Sequence, residues 1–253
     1  MNIKYSIAKN ISNFVDLILP NSISGLRILM YHSIGNNFID DPNKLFTVSA
    51  DLFISHINIL KTLPECNIFD ISKIGEPLDF NQLNVSITFD DGFKDLLYTV
   101  APILNENNIP FTVFIVKDFV LNNKFGYLNE AELKELSKLD IVTIGSHGGT
   151  HNKLAELSEL DLINELNDSK KYIEDLIGNS VRCISYPHGS INNKVKNAVC
   201  DIGYEYGFSS KSNINKNHKN PLMLSRTVIL ANDNSKIFTQ KLRGAWDWRG
   251  YVK

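Results

Sequence analysis

Two adjacent carboxylates and four histidines are the residues in this chain best placed to do chemistry. Asp90 and Asp91 precede Gly92 at the end of a run from Val85, His147 and His151 flank Gly148-Gly149-Thr150, His32 follows Tyr31, and His188 follows Tyr186-Pro187. Adjacent carboxylates repel, so a fold that gathers both needs a cation, a proton or solvent beside them. Two imidazoles with one carboxylate are a usual ligand set for a catalytic divalent metal that leaves positions open to water. Glycines between His147 and His151 let the backbone fold until both rings face one point. Taken singly, Asp-Asp-Gly is an ordinary solvated turn and a lone histidine an ordinary turn or capping residue.

What joins these residues is the position of the elements that carry them. Val85, Ile87 and Phe89 alternate with Ser86 and Thr88 as in a pleated strand, and Gly92 permits the turn that ends it. Further strands are predicted over Arg27–Met30, Phe111–Val116, Ile141–Gly145, Val181–Tyr186, Tyr204–Phe208 and Leu224–Leu230. Helices fall between them. One runs from Asp51 to Leu63 with Ser49 as cap, and one is marked by Leu96, Leu97, Val100, Ile103 and Leu104. Another opens on the Asn129/Glu132 capping box, a longer one on Ser158/Asp161 ends at Gly178, and two more pass through Val195–Ile202 and Ser235–Leu242. Strands alternating with helices imply a parallel sheet of about seven strands. An open doubly wound sheet and a closed barrel both fit. The first strand lacks a glycine-rich phosphate fingerprint, which favours the barrel. His32, the Asp90/Asp91 pair, His147/His151 and His188 then all collect at the carboxyl ends of strands, with Arg226 in the last strand.

Composition narrows the partners. The chain has 253 residues, 43% of them hydrophobic, and a formal charge of -2, enough for a large core and without the basic excess that nucleic acid would require. Three widely spaced cysteines form neither a disulfide framework nor a CxxC motif, which leans towards a reducing compartment. With no membrane-length apolar run, and with Asn13 and Asp16 interrupting any signal-like core, a cytoplasmic location is expected. Residues 1–26 form a separate amphipathic helix closed by Pro20, ahead of a barrel domain over 27–253. Its stripe of Ile3, Ile7, Ile11, Phe14, Ile18 and Leu19 is expected to pack on that domain, in preference to a membrane surface touched through residues 1–20. The polar run Ser209–Asn220, with His218, reads as a solvated loop.

Three of these segments resemble a known family. Thr88–Gly92 (TFDDG), His147–His151 (HGGTH) and Ser185–Gly189 (SYPHG) look like the first three motifs of the polysaccharide deacetylases, carbohydrate esterase family 4, in the same order and spacing. The resemblance spans Arg27 to Leu230. It implies a distorted (β/α)7 barrel and a metal-dependent hydrolase that removes N- or O-acetyl groups from a sugar, an oligosaccharide or a glycan precursor in surface-glycan biosynthesis. It also implies that Asp91, His147 and His151 hold one divalent metal, Zn first with Co, Ni, Mn or Fe as alternatives. Asp90 would then be the base, the His188 backbone N–H would help stabilise the oxyanion, and Tyr186, Pro187 and His188 would meet the substrate.

The chain departs from the family pattern in two places. Many members have an arginine where Ser185 stands, tethering the catalytic aspartate, and a late Leu-x-His motif supplying a general acid; no histidine follows His218 here. Arg226 is the candidate tether. His32 is the candidate acid, because the early Tyr31-His32 and the later Phe46-Thr47-Val48-Ser49 resemble the branch of the family with permuted motifs. His188 is the alternative acid. Competing functions are a non-catalytic carbohydrate-binding member of the fold and a deformylase or other amide hydrolase acting on a lipid-linked sugar.

Overall fold

The computed structural model describes all residues except 1, 2, 20–22, 36–40, 42, 43, 65, 218, 252 and 253. Pro20 and His218 therefore lie outside the described residues, as does the Ile3 side chain. In chain order the elements are α1 (Ile3–Ile18), β1 (Gly25–Tyr31), β2 (Ser33–Ile34), β3 (Thr47–Val48), α2 (Ala50–Thr62), β4 (Cys66–Ile68) and β5 (Leu83–Phe89). There follow α3 (Ala101–Glu106), β6 (Phe111–Ile115), α4 (Lys117–Leu121), α5 (Glu130–Leu136), β7 (Val142–Ser146) and α6 (Glu159–Ile177). The last are β8 (Cys183–Ser185), α7 (Asn193–Asp201), β9 (Tyr206–Phe208), β10 (Thr227–Val228) and α8 (Ser235–Arg243).

The main sheet is parallel and runs β10-β1-β5-β6-β7-β8-β9. Its two ends meet. A parallel bridge joins Phe208 to Leu224, three residues before the first residue of β10, so the seven predicted strands curl into a distorted barrel. The seventh is much shorter than predicted because its segment changes partner. Leu224 N–H bonds Gly207 O on the β9 side, while Thr227 and Val228 pair with Leu29 and Met30 of β1. An additional strand, β4, pairs with the start of β5, whose far end on that side belongs to β6. Three residues of half-exposed, mixed polarity gave β4 no alternating pattern to read.

Strand periodicity decides what faces the barrel axis. Along β5, Val85, Ile87 and Phe89 join the large core beneath the helices, whereas Thr88 and Asp90 point towards the buried Arg226 just before β10. Leu26, Ile28, Phe114, Cys183, Phe208 and Leu224 form a second core cluster. Gly145 belongs to this tight interior, since a Cβ there would lie 2.6 Å from the Phe114 ring.

The predicted caps are present: Ser49 on α2, the Asn129/Glu132 capping box on α5, Ser158 on α6 and a left-handed Gly178 after it. The helix predicted from Leu96 is split into a π-turn, Leu96–Val100, and α3, which has Pro102 near its start. Proline has no N–H to give the preceding turn, and a wider turn accommodates the loss.

The stripe on α1 behaves contrary to expectation. Ile7, Ile11, Phe14 and Ile18 are exposed, Phe14 by 64%, so these residues do not pack on the barrel. The neighbouring face docks instead, with Ala8 and Val15, joined by Leu19 of the stripe, against Ile237, Ala245, Trp246 and Trp248. Polar contacts set this choice: Gln240 bonds Asn13, Arg243 pairs with Asp16, and the Trp248 indole donates to Ser12. Among the described residues no helix is long and apolar enough to cross a membrane.

Candidate active site

The carboxyl ends of β1, β5, β7 and β8 open into a cavity of about 520 Å³, a size suited to a small-molecule site. His32, Asp90, Asp91, His147, His151, Tyr186, His188 and Arg226 all line it. Among the predicted site residues Pro187 is the exception. It is buried, with its ring near Gly148, so it packs beneath the His147–His151 loop and has no wall in the cavity. Tyr186 does line the cavity, yet its hydroxyl is committed to Leu222 O at 2.8 Å.

Asp91, His147 and His151 each bring one ligand atom within 4.8 Å of the others. Asp91 Oδ1 lies 3.5 Å from His147 Nε2 and 3.3 Å from His151 Nε2, and this buried oxygen has no hydrogen-bond partner of regular geometry. His147 Nδ1 lies 2.8 Å from Ser185 O, an acceptor, so its proton sits on Nδ1 and the Nε2 lone pair faces the cluster. Two nitrogens, an orphaned carboxylate oxygen and a fixed tautomer fit a divalent cation, and the donor set suits Zn²⁺ and its first-row neighbours.

Electrostatics separates the two aspartates. Burial would raise both pKa values, but both are lowered: Asp90 well below the usual carboxylate range by Arg226 and His147, Asp91 by His151, His32 and His147. Arg226 grips Asp90 with both arms, Nη1 to Oδ1 and Nη2 to Oδ2 at 2.7 Å each, and Nη2 also donates to Ser185 Oγ at 2.7 Å. The short Ser185 side chain leaves space for this guanidinium to arrive from the segment before β10. Burial pushes His147 down to about 4, which keeps its imidazole neutral, while Asp91 draws His151 upward despite burial.

His32 faces the same cavity from the end of β1. Its ring lies 4.7 Å from that of Phe46, and its Nδ1 is buried without a partner. The next residues are tied down: Asp95, just after the Asp91 turn, accepts from Ser33 Oγ at 2.5 Å and from Ile34 N–H at 2.9 Å. Burial pushes Asp95 up to about 7 against both hydrogen bonds. His188 is exposed at the rim, its ring 4.5 Å from that of His151.

Asp91, His151 and His188 hold left-handed backbones, with φ of 73, 64 and 57°. Such conformations strain non-glycine residues and gather where function over-determines the backbone. Nothing in the residue types predicts them. Also unread were the aromatic walls Phe93, Phe119 and Tyr127 with Lys124 over two of the rings, because the 117–128 connection has no periodicity. Glu165 was missed although a signal existed. It shares a helix face with Leu162, Leu166 and Ser169, where an acidic residue has to find a buried partner.

A family model described as polysaccharide deacetylase matches residues 79–207. The chain is 30% identical over 217 residues to the poly-beta-1,6-N-acetyl-D-glucosamine N-deacetylase of Staphylococcus aureus, covering 77% of this chain and 73% of that protein. It is also 30% identical over 188 residues to YxkH of Bacillus subtilis, which carries the family's name, covering 74% of this chain and 64% of that protein's length. In fold it is similar to the Streptococcus pyogenes deacetylase PplD, with a TM-score of 0.76, 22% identity, and coverage of 87% of this chain and 99% of that one.

Proposed function

The chain belongs to the polysaccharide deacetylase family, and from that premise we propose that it is a metal-dependent hydrolase releasing acetate from an N-acetylated carbohydrate in surface-glycan biosynthesis. The observation that carries this reading is the convergence at one barrel mouth of the Asp91/His147/His151 cluster with a second aspartate, Asp90, held ionised by Arg226. A non-catalytic binding protein has no use for that second, buried and chemically tuned carboxylate.

A divalent cation held by Asp91, His147 and His151 would supply Lewis acidity, polarising an amide carbonyl and making water more acidic. Asp90 is the base in this proposal. Each of its oxygens accepts one Arg226 donor, and Ser185 Oγ lies 3.2 Å from Oδ2, so Oδ1 keeps a lone pair to receive a proton. Arg226 fixes the carboxylate plane and keeps it ionised. An amide nitrogen cannot leave as an anion, and His32, which lines the cavity from the strand end beside Asp90, is the proposed donor of its proton. The backbone N–H of His188, a residue at the cavity rim, is the proposed oxyanion donor, and its ring would edge the substrate.

The first substrate to try is a β-1,6-linked N-acetylglucosamine oligomer, the chemistry named for the Staphylococcus aureus relative. Acetate release should be measured on that oligomer and on free, nucleotide-linked and lipid-linked N-acetyl sugars, with formate release measured in parallel on N-formyl analogues. Metal-dependent acetate release that Asp90→Asn abolishes supports the proposal. Formate release alone, or no turnover with tight glycan binding, would replace it.

A further inference from the structure

His147 and His151 are carried by a loop, and a loop holds metal ligands only as firmly as the loop itself is held. Gly148 and His151 both adopt left-handed backbones, with φ of 78 and 64°. The carbonyls of this loop are gripped from one side, where the N–H groups of Lys117 and Asp118 donate to Gly148 O at 3.1 Å and Gly149 O at 2.9 Å. Its own N–H groups converge on a single carboxylate from the other side. Glu165 Oε1, from α6, accepts from Gly149 N–H at 2.9 Å, Thr150 N–H at 2.7 Å and Thr150 Oγ1 at 3.0 Å.

The two glycines are moulded to that carboxylate. A Cβ at Gly148 would sit 3.0 Å from Glu165 Oε1, and one at Gly149 3.0 Å from Oε2. Glu165 lies between Leu162 and Leu166, both fully buried on the face that anchors α6 to the sheet, so its carboxylate is referenced to the barrel itself.

We propose that Glu165 is a positioning residue for the metal centre. Its carboxylate fixes the Gly148–Thr150 turn, and thereby keeps His151 Nε2 at ligand distance from Asp91 Oδ1 and His147 Nε2. The inference rests on the reading of Asp91, His147 and His151 as a metal site. Partners behind the ligands commonly govern metal affinity by 10- to 100-fold, about the size expected here.

The test compares Glu165→Ala, Glu165→Asp and Glu165→Gln with wild type. Zn²⁺ affinity is measured by competition with a chromophoric chelator, and amide exchange at Gly149 and Thr150 is followed in the metal-free proteins. Alanine removes the acceptor and aspartate falls one methylene short, so both should weaken Zn²⁺ binding by about 10- to 100-fold and speed exchange at the two amides. Glutamine keeps an oxygen where three donors converge and should stay within a few-fold of wild type on both readouts. That rescue separates hydrogen-bonded positioning from a long-range effect of the charge, which glutamine would lose as completely as alanine. If Glu165→Ala does not fold, the aspartate and glutamine pair decides. Wild-type protein that binds no Zn²⁺ would overturn the metal site and this inference together. Wild type that binds, with unchanged affinity in the alanine or aspartate variant, would overturn the inference alone.

Discussion

At the scale of single residues, Arg226 and His147 more than offset the burial of Asp90 and favour its ionised form. Asp90→Asn keeps the shape and removes the proton acceptor, so acetate release should fall about 10²-fold or more while metal content stays normal, as a metal assay alongside kinetics would show. His32→Ala should slow cleavage of an acetamido sugar yet barely slow an aryl acetate, whose phenolate leaves without a proton. Equal losses on the two substrates would remove His32 from the acid role. Asp95 gives a stability test with a definite sign. Its folded pKa of about 7 lies above the ordinary unfolded value of about 4, so the unfolded chain releases this proton first as pH rises. The folded state therefore loses stability between those values. In Asp95→Asn an amide oxygen in place of Oδ2 can still serve Ser33 and Ile34. Urea unfolding should find the variant gaining on wild type from pH 4 to 7 and holding that gain above, whereas a constant offset at every pH would contradict the raised pKa.

At the scale of elements, α1 is the part whose orientation overrules its sequence pattern. The face with larger apolar residues is exposed and the face with Ala8 and Ser12 is buried. Small side chains let this helix approach the tail that carries Trp246 and Trp248, and the Gln240 and Arg243 contacts reward that approach. Phe14→Ser should therefore change stability by less than about 0.5 kcal/mol, as a surface substitution does. Ala8→Leu, which improves the amphipathic pattern on paper, should cost about 1–3 kcal/mol by overpacking. Denaturant midpoints for the two variants distinguish this docking from the one the stripe predicts, since the opposite orientation would reverse their order.

At the scale of the whole molecule, the candidate metal cluster draws on two strands far apart in sequence. Asp91 follows β5 and His147 and His151 follow β7, with β6 between them in the sheet. A cation bound there ties these parts of the barrel together and stabilises the folded state by mass action, by about 2.7 kcal/mol at 100 times its Kd. Thermal unfolding should therefore shift upward on adding Zn²⁺ to chelator-treated wild type. Asp91→Asn should abolish that shift, and an equal shift in this variant would place the binding elsewhere.

The sequence by itself determined the alternation of strands and helices, the helix caps and the group of residues brought to one rim. Those features rest on local physics: alternation with period two, side chains that cap their own helix, and strand ends that share one side of a parallel sheet. Three linked motifs were enough to single out Asp91, His147 and His151 as candidate metal ligands, with Asp90 beside them, and the structure brings all four to one cavity. The sequence offered Arg226 as the tether of Asp90, and only the tertiary structure decided its geometry, a two-armed grip from 136 residues later that also engages Ser185 Oγ. The same holds for Glu165 behind the histidine loop, for the left-handed backbones at Asp91, His151 and His188, and for the face α1 turns to solvent. Each depends on which surfaces meet once the barrel closes, and a pattern along one segment carries no information about the shape of the surface it will face.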